Sequence, residues 1–139
     1  MQKKIFITGV AGFIGYHLCK RLLSEGKSVI GLDNLNSYYD VNLKKARLKN
    51  LYKLNGDFYF FNDNLENIQI IESIFKLHNP EIIFNLAAQA GVRYSIENPD
   101  AFTRTNVLGF NNLLSVCSKN KIKHIIYASS SSVYGGNTS

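Results

Sequence analysis

Gly9, Gly12 and Gly15 fall at three-residue intervals in "ITGVAGFIG", residues 7–15. A glycine inside a regular element costs roughly 0.5–1 kcal/mol against alanine. Three at a fixed spacing therefore ask for backbone geometry that a side chain would forbid. The chemistry that suits them is anion binding. Gly9 would permit a tight turn, Gly12 the close approach of a diphosphate, and Gly15 the close packing on the strand of a following helix whose N–H groups face the charge. Asp33 ends the run "VIGLD", 18 residues beyond Gly15. A carboxylate there can accept from both hydroxyls of a ribose and repels a 2′-phosphate. A third group is "SSSS", residues 129–132, directly after an apolar run. A serine run is commonly only a loop, and a glycine triplet can open a flavodoxin-like turn by chance. Their placement among the elements decides.

The apolar period switches along the chain. Residues 3–8, 28–33, 57–61, 81–87 and 123–129 are short β-branched and aromatic runs. Residues 13–26, 41–54 and 65–78 have helical spacing, with Gly26 and Pro80 as stops. A loop runs to Pro99, and a helix follows through "AFTRTNVLGFNNLLSVCSKN". The strands read as apolar on both faces, which predicts a parallel sheet covered by helices on both sides. Right-handed crossovers give a doubly wound, Rossmann-type sheet of five strands in the order 3-2-1-4-5. The glycines then follow the first strand and open the first helix of a βαβ unit. Asp33 ends the second strand, and Asn34 stands after it in place of an arginine that would hold a 2′-phosphate. NAD is favoured over NADP.

Composition bounds the rest. The 139 residues suit one domain, and apolar and charged contents of 45% and 19% are those of a globular protein. The charge of +6, from 16 basic and 10 acidic residues, is scattered. Its densest cluster, Lys44, Lys45, Arg47 and Lys49, reads as the wet face of one helix and not as a nucleic-acid patch. Cys19 and Cys117 lie in apolar helical patterns and outside any metal spacing, so they are expected to be reduced core residues. No apolar stretch approaches the roughly 18 residues of a membrane span, and the N-terminal apolar run reads as strand and turn, giving a cytoplasmic expectation.

The segments "TGVAGFIGYHL", "GLDNLNSYYDVNLKKARL", "NLAAQAGVRYSIENP", "TNVLGFNNLL" and "YASSSSVYG" resemble, in order, the extended short-chain dehydrogenase/reductase family. Within it they are most similar to NAD-dependent nucleotide-sugar epimerases, especially the UDP-glucuronate 4-epimerases. The resemblance implies that Gly9, Gly12, Phe13, Ile14 and Gly15 meet the pyrophosphate, and that Asp33, Asn34 and Asn36 surround the adenosine ribose. It sets Asn64, with Asp63 beside it, at the adenine, and Leu86, Ala87 and Ala88 along the dinucleotide. Asn85 replaces a more usual histidine. Asn106 either holds the loops around the cofactor or makes a local backbone bond. Ser130 matches the catalytic Ser/Thr that hydrogen-bonds the sugar 4-hydroxyl. Ser131 and Ser132 stand at the substrate where sugar-nucleotide dehydratases carry acidic residues. Elimination of water needs an acid and a base, so epimerisation is favoured over dehydration. Arg93 either pairs with a sugar carboxylate or braces its loop. The implied reaction is transient oxidation at C4 of a UDP-sugar to a 4-keto sugar, in a homodimer formed through the helix at 100–118.

The family's base is a Tyr in a Tyr-x-x-x-Lys motif some 20–30 residues beyond the Ser. None stands there. Residues 1–139 therefore read as the NAD-binding, N-terminal part of such an enzyme, without its sugar-binding region. The other reading is a dinucleotide-binding module that catalyses nothing.

Overall fold

The computed structural model describes residues 3–136. Five strands form one sheet: β1 (Lys4–Thr8), β2 (Ser28–Asp33), β3 (Phe58–Asn62), β4 (Ile82–Asn85) and β5 (His124–Tyr127). They lie in the order 3-2-1-4-5, and every pair is parallel. The helices are α1 (Phe13–Ser24), α2 (Val41–Leu51), α3 (Ile68–His78), α4 (Val92–Glu97), α5 (Pro99–Phe102) and α6 (Phe110–Ser118).

The period of two along β1 divides the core. Ile5 and Ile7 point to one face and pack with Cys19 and Leu23 of α1 and Leu48 and Leu51 of α2. Phe6 points to the other and packs with Ile71, Ile74 and Phe75 of α3 and Leu113, Val116 and Cys117 of α6. Burial pushes the Cys19 thiol up to about 12 and the Cys117 thiol up to about 11, and both cysteines are free. No helix among the described residues is long and apolar enough to cross a membrane.

Three expectations need correction. The apolar runs do not all mean two-faced burial. β2 is buried throughout, whereas β3 and β5 are partly exposed because, among the described residues, each has a neighbour on one side only. The segment before Pro99 is not all loop, since it holds α4, whose six residues are too few for a periodic signal. The long helix after Pro99 is interrupted by a π-helical stretch, Thr103–Gly109.

Candidate functional site

The C-terminal ends of the strands open into a cleft at the point where strand order reverses around β1. At its centre the chain leaves β1 through Thr8, which is fully buried. The Thr8 hydroxyl donates to Asn85 Oδ1 at 2.6 Å and accepts from the N–H groups of Leu86 and Ala87, each at 3.1 Å. One hydroxyl thus ties the end of β1 to the end of β4.

The glycines have separate reasons. Gly9 has φ +70°, and a Cβ on it would sit 2.8 Å from the Ala87 nitrogen. Gly15 starts α1 so close to the turn that a Cβ would lie 2.1 Å from the Gly9 carbonyl oxygen. Its close contact is therefore with the turn itself, not with the strand. Gly12 caps α1 without any side-chain bond. The first intrahelical bond runs from the Tyr16 N–H to the Gly12 carbonyl, so the N–H groups of Phe13 and Ile14 lie in the open first turn.

Asp33 is 8% exposed. Its Oδ2 accepts from the Ala11 N–H at 3.0 Å and its Oδ1 from the Leu35 N–H at 2.9 Å. Leu35 has φ +51°, a strained position for a residue with a side chain, and this bond helps hold it there. Gly9, Gly12, Phe13, Ile14, Gly15, Asp33, Asn34, Asn36, Leu86, Ala87 and Ala88 all line one cavity of about 410 Å³. These are eleven of the residues that the glycine spacing, Asp33 and the family resemblance single out, and they share one cavity.

Four expected residues stand elsewhere. Asn64 does not line the cavity, and its Oδ1 accepts from Asn34 Nδ2 at 2.9 Å. Asp63 lines it instead. Arg93, on α4, lines neither this cavity nor the next and is exposed. Ser131 and Ser132 belong to a short 3₁₀ turn, Ser131–Tyr134, beyond the lining residues. Asn106 does more than bond locally. Its Oδ1 accepts from the Gln89 N–H at 2.8 Å, and its Nδ2 donates to the Gln89 carbonyl at 2.9 Å. The π-helical stretch thus clamps the loop after β4.

Ser130 lines a second cavity of about 560 Å³ with Asn106, Phe110 and Tyr127, and Ala87, Ala88 and Gln89 are shared with the first. Its hydroxyl accepts from the Ser132 N–H at 3.2 Å and lies 3.1 Å from the Ser132 hydroxyl. The spacing Tyr-x-x-x-Lys does occur, at Tyr16 and Lys20 of α1. Neither lines the cleft, and Tyr16 lies under the Arg47 guanidinium.

Sequence reasoning missed Thr8, Gln89, Lys44 and Arg47. The wet-face reading of α2 is wrong for two of its four cations. Lys44 is 6% exposed and lines the first cavity. Arg47 Nη1 donates to the Ala11 carbonyl at 3.0 Å. A polar residue closing an apolar strand was the available signal for Thr8.

The family model described as GDP-mannose 4,6 dehydratase matches residues 6–139. Protein CapI of Staphylococcus aureus is 53% identical over 98% of this chain and 40% of its own length. The probable UDP-glucuronate 4-epimerase of Rhizobium meliloti is 46% identical over 96% of this chain and 39% of its own. The crystal structure of a mutant UDP-glucuronic acid 4-epimerase from Bacillus cereus, in complex with UDP-4-deoxy-4-fluoro-glucuronic acid and NAD, superposes with a TM-score of 0.84 at 31% identity, covering 98% of this chain and 43% of that one. The chain thus spans about two fifths of the length of these relatives.

Proposed function

Since the chain belongs to the GDP-mannose 4,6 dehydratase family, we propose that it is the NAD-binding part of a UDP-sugar 4-epimerase acting on UDP-glucuronate. The observation that carries this reading is the cradle between Gly9 and Asp33. A dinucleotide fits it. A Cβ at Gly9 or Gly15 would collide with backbone, the first turn of α1 offers N–H groups to a pyrophosphate, and Asp33 is fixed at the end of β2. Each carboxylate oxygen accepts one backbone N–H and keeps lone-pair capacity for a ribose hydroxyl. Leu86, Ala87 and Ala88 give an apolar wall.

Bound NAD would supply a reversible hydride acceptor for the sugar C4. Ser130 would hydrogen-bond the sugar 4-hydroxyl. As an alcohol with a pKa far above 7 it cannot be the resting base, and a base accompanying hydride loss is typically worth about 10²–10⁴-fold. The 139 residues alone are therefore expected to bind NAD and not to epimerise. By the family resemblance Ser131 and Ser132 match positions where dehydratases carry acidic residues, and hydroxyls there favour epimerisation over dehydration. Val107, Leu108 and Leu114, exposed on the long helix, support a homodimer through that face. The free buried thiols of Cys19 and Cys117 support a cytoplasmic setting.

Titration with NAD and NADP tests the reading. The wild-type chain should bind NAD more tightly than NADP. Asp33→Ala should weaken NAD and improve the relative binding of NADP. An unchanged preference, or no binding of NAD by the wild type, refutes the assignment of the cleft. Conversion of UDP-glucuronate to UDP-galacturonate by these residues alone, at an enzyme's ordinary rate, would refute the role given to Ser130.

A further inference from the structure

Lys44 is the unusual cation of this molecule. It sits one turn into α2, a helix that begins at the Asp40 cap, where the carboxylate accepts from the Asn42 N–H at 2.8 Å. Lysine ordinarily keeps its ammonium in water, and burying it requires partners that offset the charge. Here Nζ donates to the Asn36 carbonyl at 3.0 Å and to Asn36 Oδ1 at 3.1 Å. It lies 3.9 Å from Asp33 Oδ1, and both side chains are more than nine-tenths buried. An ammonium has three donors. Two are used on Asn36, and the third is left for Asp33 or for a group in the cavity that Lys44 lines.

Two consequences follow from this placement. The loop after β2 is fixed twice, by Asp33 holding the strained Leu35 and by Lys44 holding Asn36. The end of the cavity at Asp33 also carries an ion pair and not an isolated negative charge. A carboxylate beside a 2′-phosphate repels it in proportion to the charge left unscreened, and a buried neighbour of opposite sign removes much of that charge.

We propose that Lys44 is a specificity-determining and positioning residue, and that the preference between NAD and NADP is set by the Asp33–Lys44 pair and not by Asp33 alone. This rests on the reading of the cleft as a dinucleotide site. Lys44 softens the exclusion of a 2′-phosphate while holding the loop that carries Asn36.

The test is the ratio of the NADP and NAD dissociation constants, measured by calorimetric titration of the 139-residue chain with each dinucleotide. Lys44→Gln removes the charge and keeps an amide donor for Asn36. It should raise the NADP-to-NAD ratio by about 3- to 10-fold. Lys44→Arg keeps the charge and should leave the ratio within about twofold of wild type. The ratio is taken within one preparation, so partial unfolding of a variant cancels. A purely structural lysine would weaken both dinucleotides in proportion, and an unchanged ratio in Lys44→Gln overturns the proposal. So does a Lys44→Arg ratio that moves as far as that of Lys44→Gln. If the wild-type chain binds neither dinucleotide, the reading of the cleft falls and this inference with it. If it prefers NAD but the Lys44 variants keep that ratio, only this inference falls.

Discussion

The two ends of the cleft hold their polar groups in different ways. Around Asp33, local bonds such as that from the Leu35 N–H are joined by partners from other elements: Ala11 on Asp33, Lys44 on Asn36, Arg47 on Ala11, Asn34 on Asn64. Around Ser130, the hydroxyl bonds within its own turn to Ser132, and Tyr127 of β5 is 56% exposed. Between the ends, Thr8 and Asn106 tie the loop after β4 into the frame. Burial explains the contrast. β2 lies inside the sheet, between β3 and β1, and Lys44 of α2 reaches its end, whereas β5 is an edge among the described residues.

That contrast can be broken by substitution. The largest effect is expected from Gly15→Ala, which drives a Cβ to 2.1 Å from the Gly9 carbonyl oxygen. The helix must then lift off the turn, at about 3 kcal/mol or more of stability. Gly26→Ala is the comparison. Its φ is +73°, but its Cβ would meet no atom within 4 Å, so only the backbone strain of about 1–2 kcal/mol applies. Chemical denaturation of both variants measures the difference, and equal losses would mean that the turn is not rigid. Thr8→Val keeps the shape and removes the hydroxyl. It strips the Leu86 and Ala87 N–H groups and the Asn85 oxygen of a partner, at about 2–3 kcal/mol. Hydrogen exchange at residues 86 and 87 should rise, and unchanged protection would show that the two strand ends are tied elsewhere. The smallest effect is expected from Asn106→Ala, about 1 kcal/mol, because Asn106 is exposed and only the Gln89 clamp is lost. It should loosen the Ser130 side of the cleft and leave the NAD-to-NADP preference untouched. A changed preference would show the two ends to be coupled.

The strands, the three glycines and Asp33 were legible because their signals are local, whereas the strand order follows from the handedness of crossovers, and Phe13, Ile14, Asn36, Leu86, Ala87 and Ala88 came only with the family resemblance. A β-branched run, a glycine spacing and a carboxylate at a strand end each carry their reason within a few residues. Lys44 was not legible, since a row of cations on a polar helix reads as a solvated face. The direction of Lys44 and Arg47, three positions apart on one side of α2, is decided by where α2 lies over the loops after β1 and β2. The clamp made by Asn106 spans 17 residues to a backbone group, and a backbone partner leaves no mark in the sequence. Asp63 and Asn64 differ by one position, and their partners separate them: Asn64 accepts from Asn34, whereas Asp63 accepts from Asn67 and lines the cavity.

The π-helical stretch from Thr103 to Gly109 bears on how this chain tolerates changes of length. A π-turn holds one residue more than an α-turn for nearly the same path. Removing one residue from 103–105 could be absorbed by tightening that turn into α-helix, leaving α6 in register with Leu113 and Val116 still facing the sheet. The segment before the excision would keep its face as well, because the lost residue and the tightened turn each amount to about 100° and offset one another. The extra residue is thus a phase adjuster. It lets one helix face the core with its second half and reach the loop after β4 with its first, where the same residues wound as continuous α-helix would set the two halves about 100° out of phase.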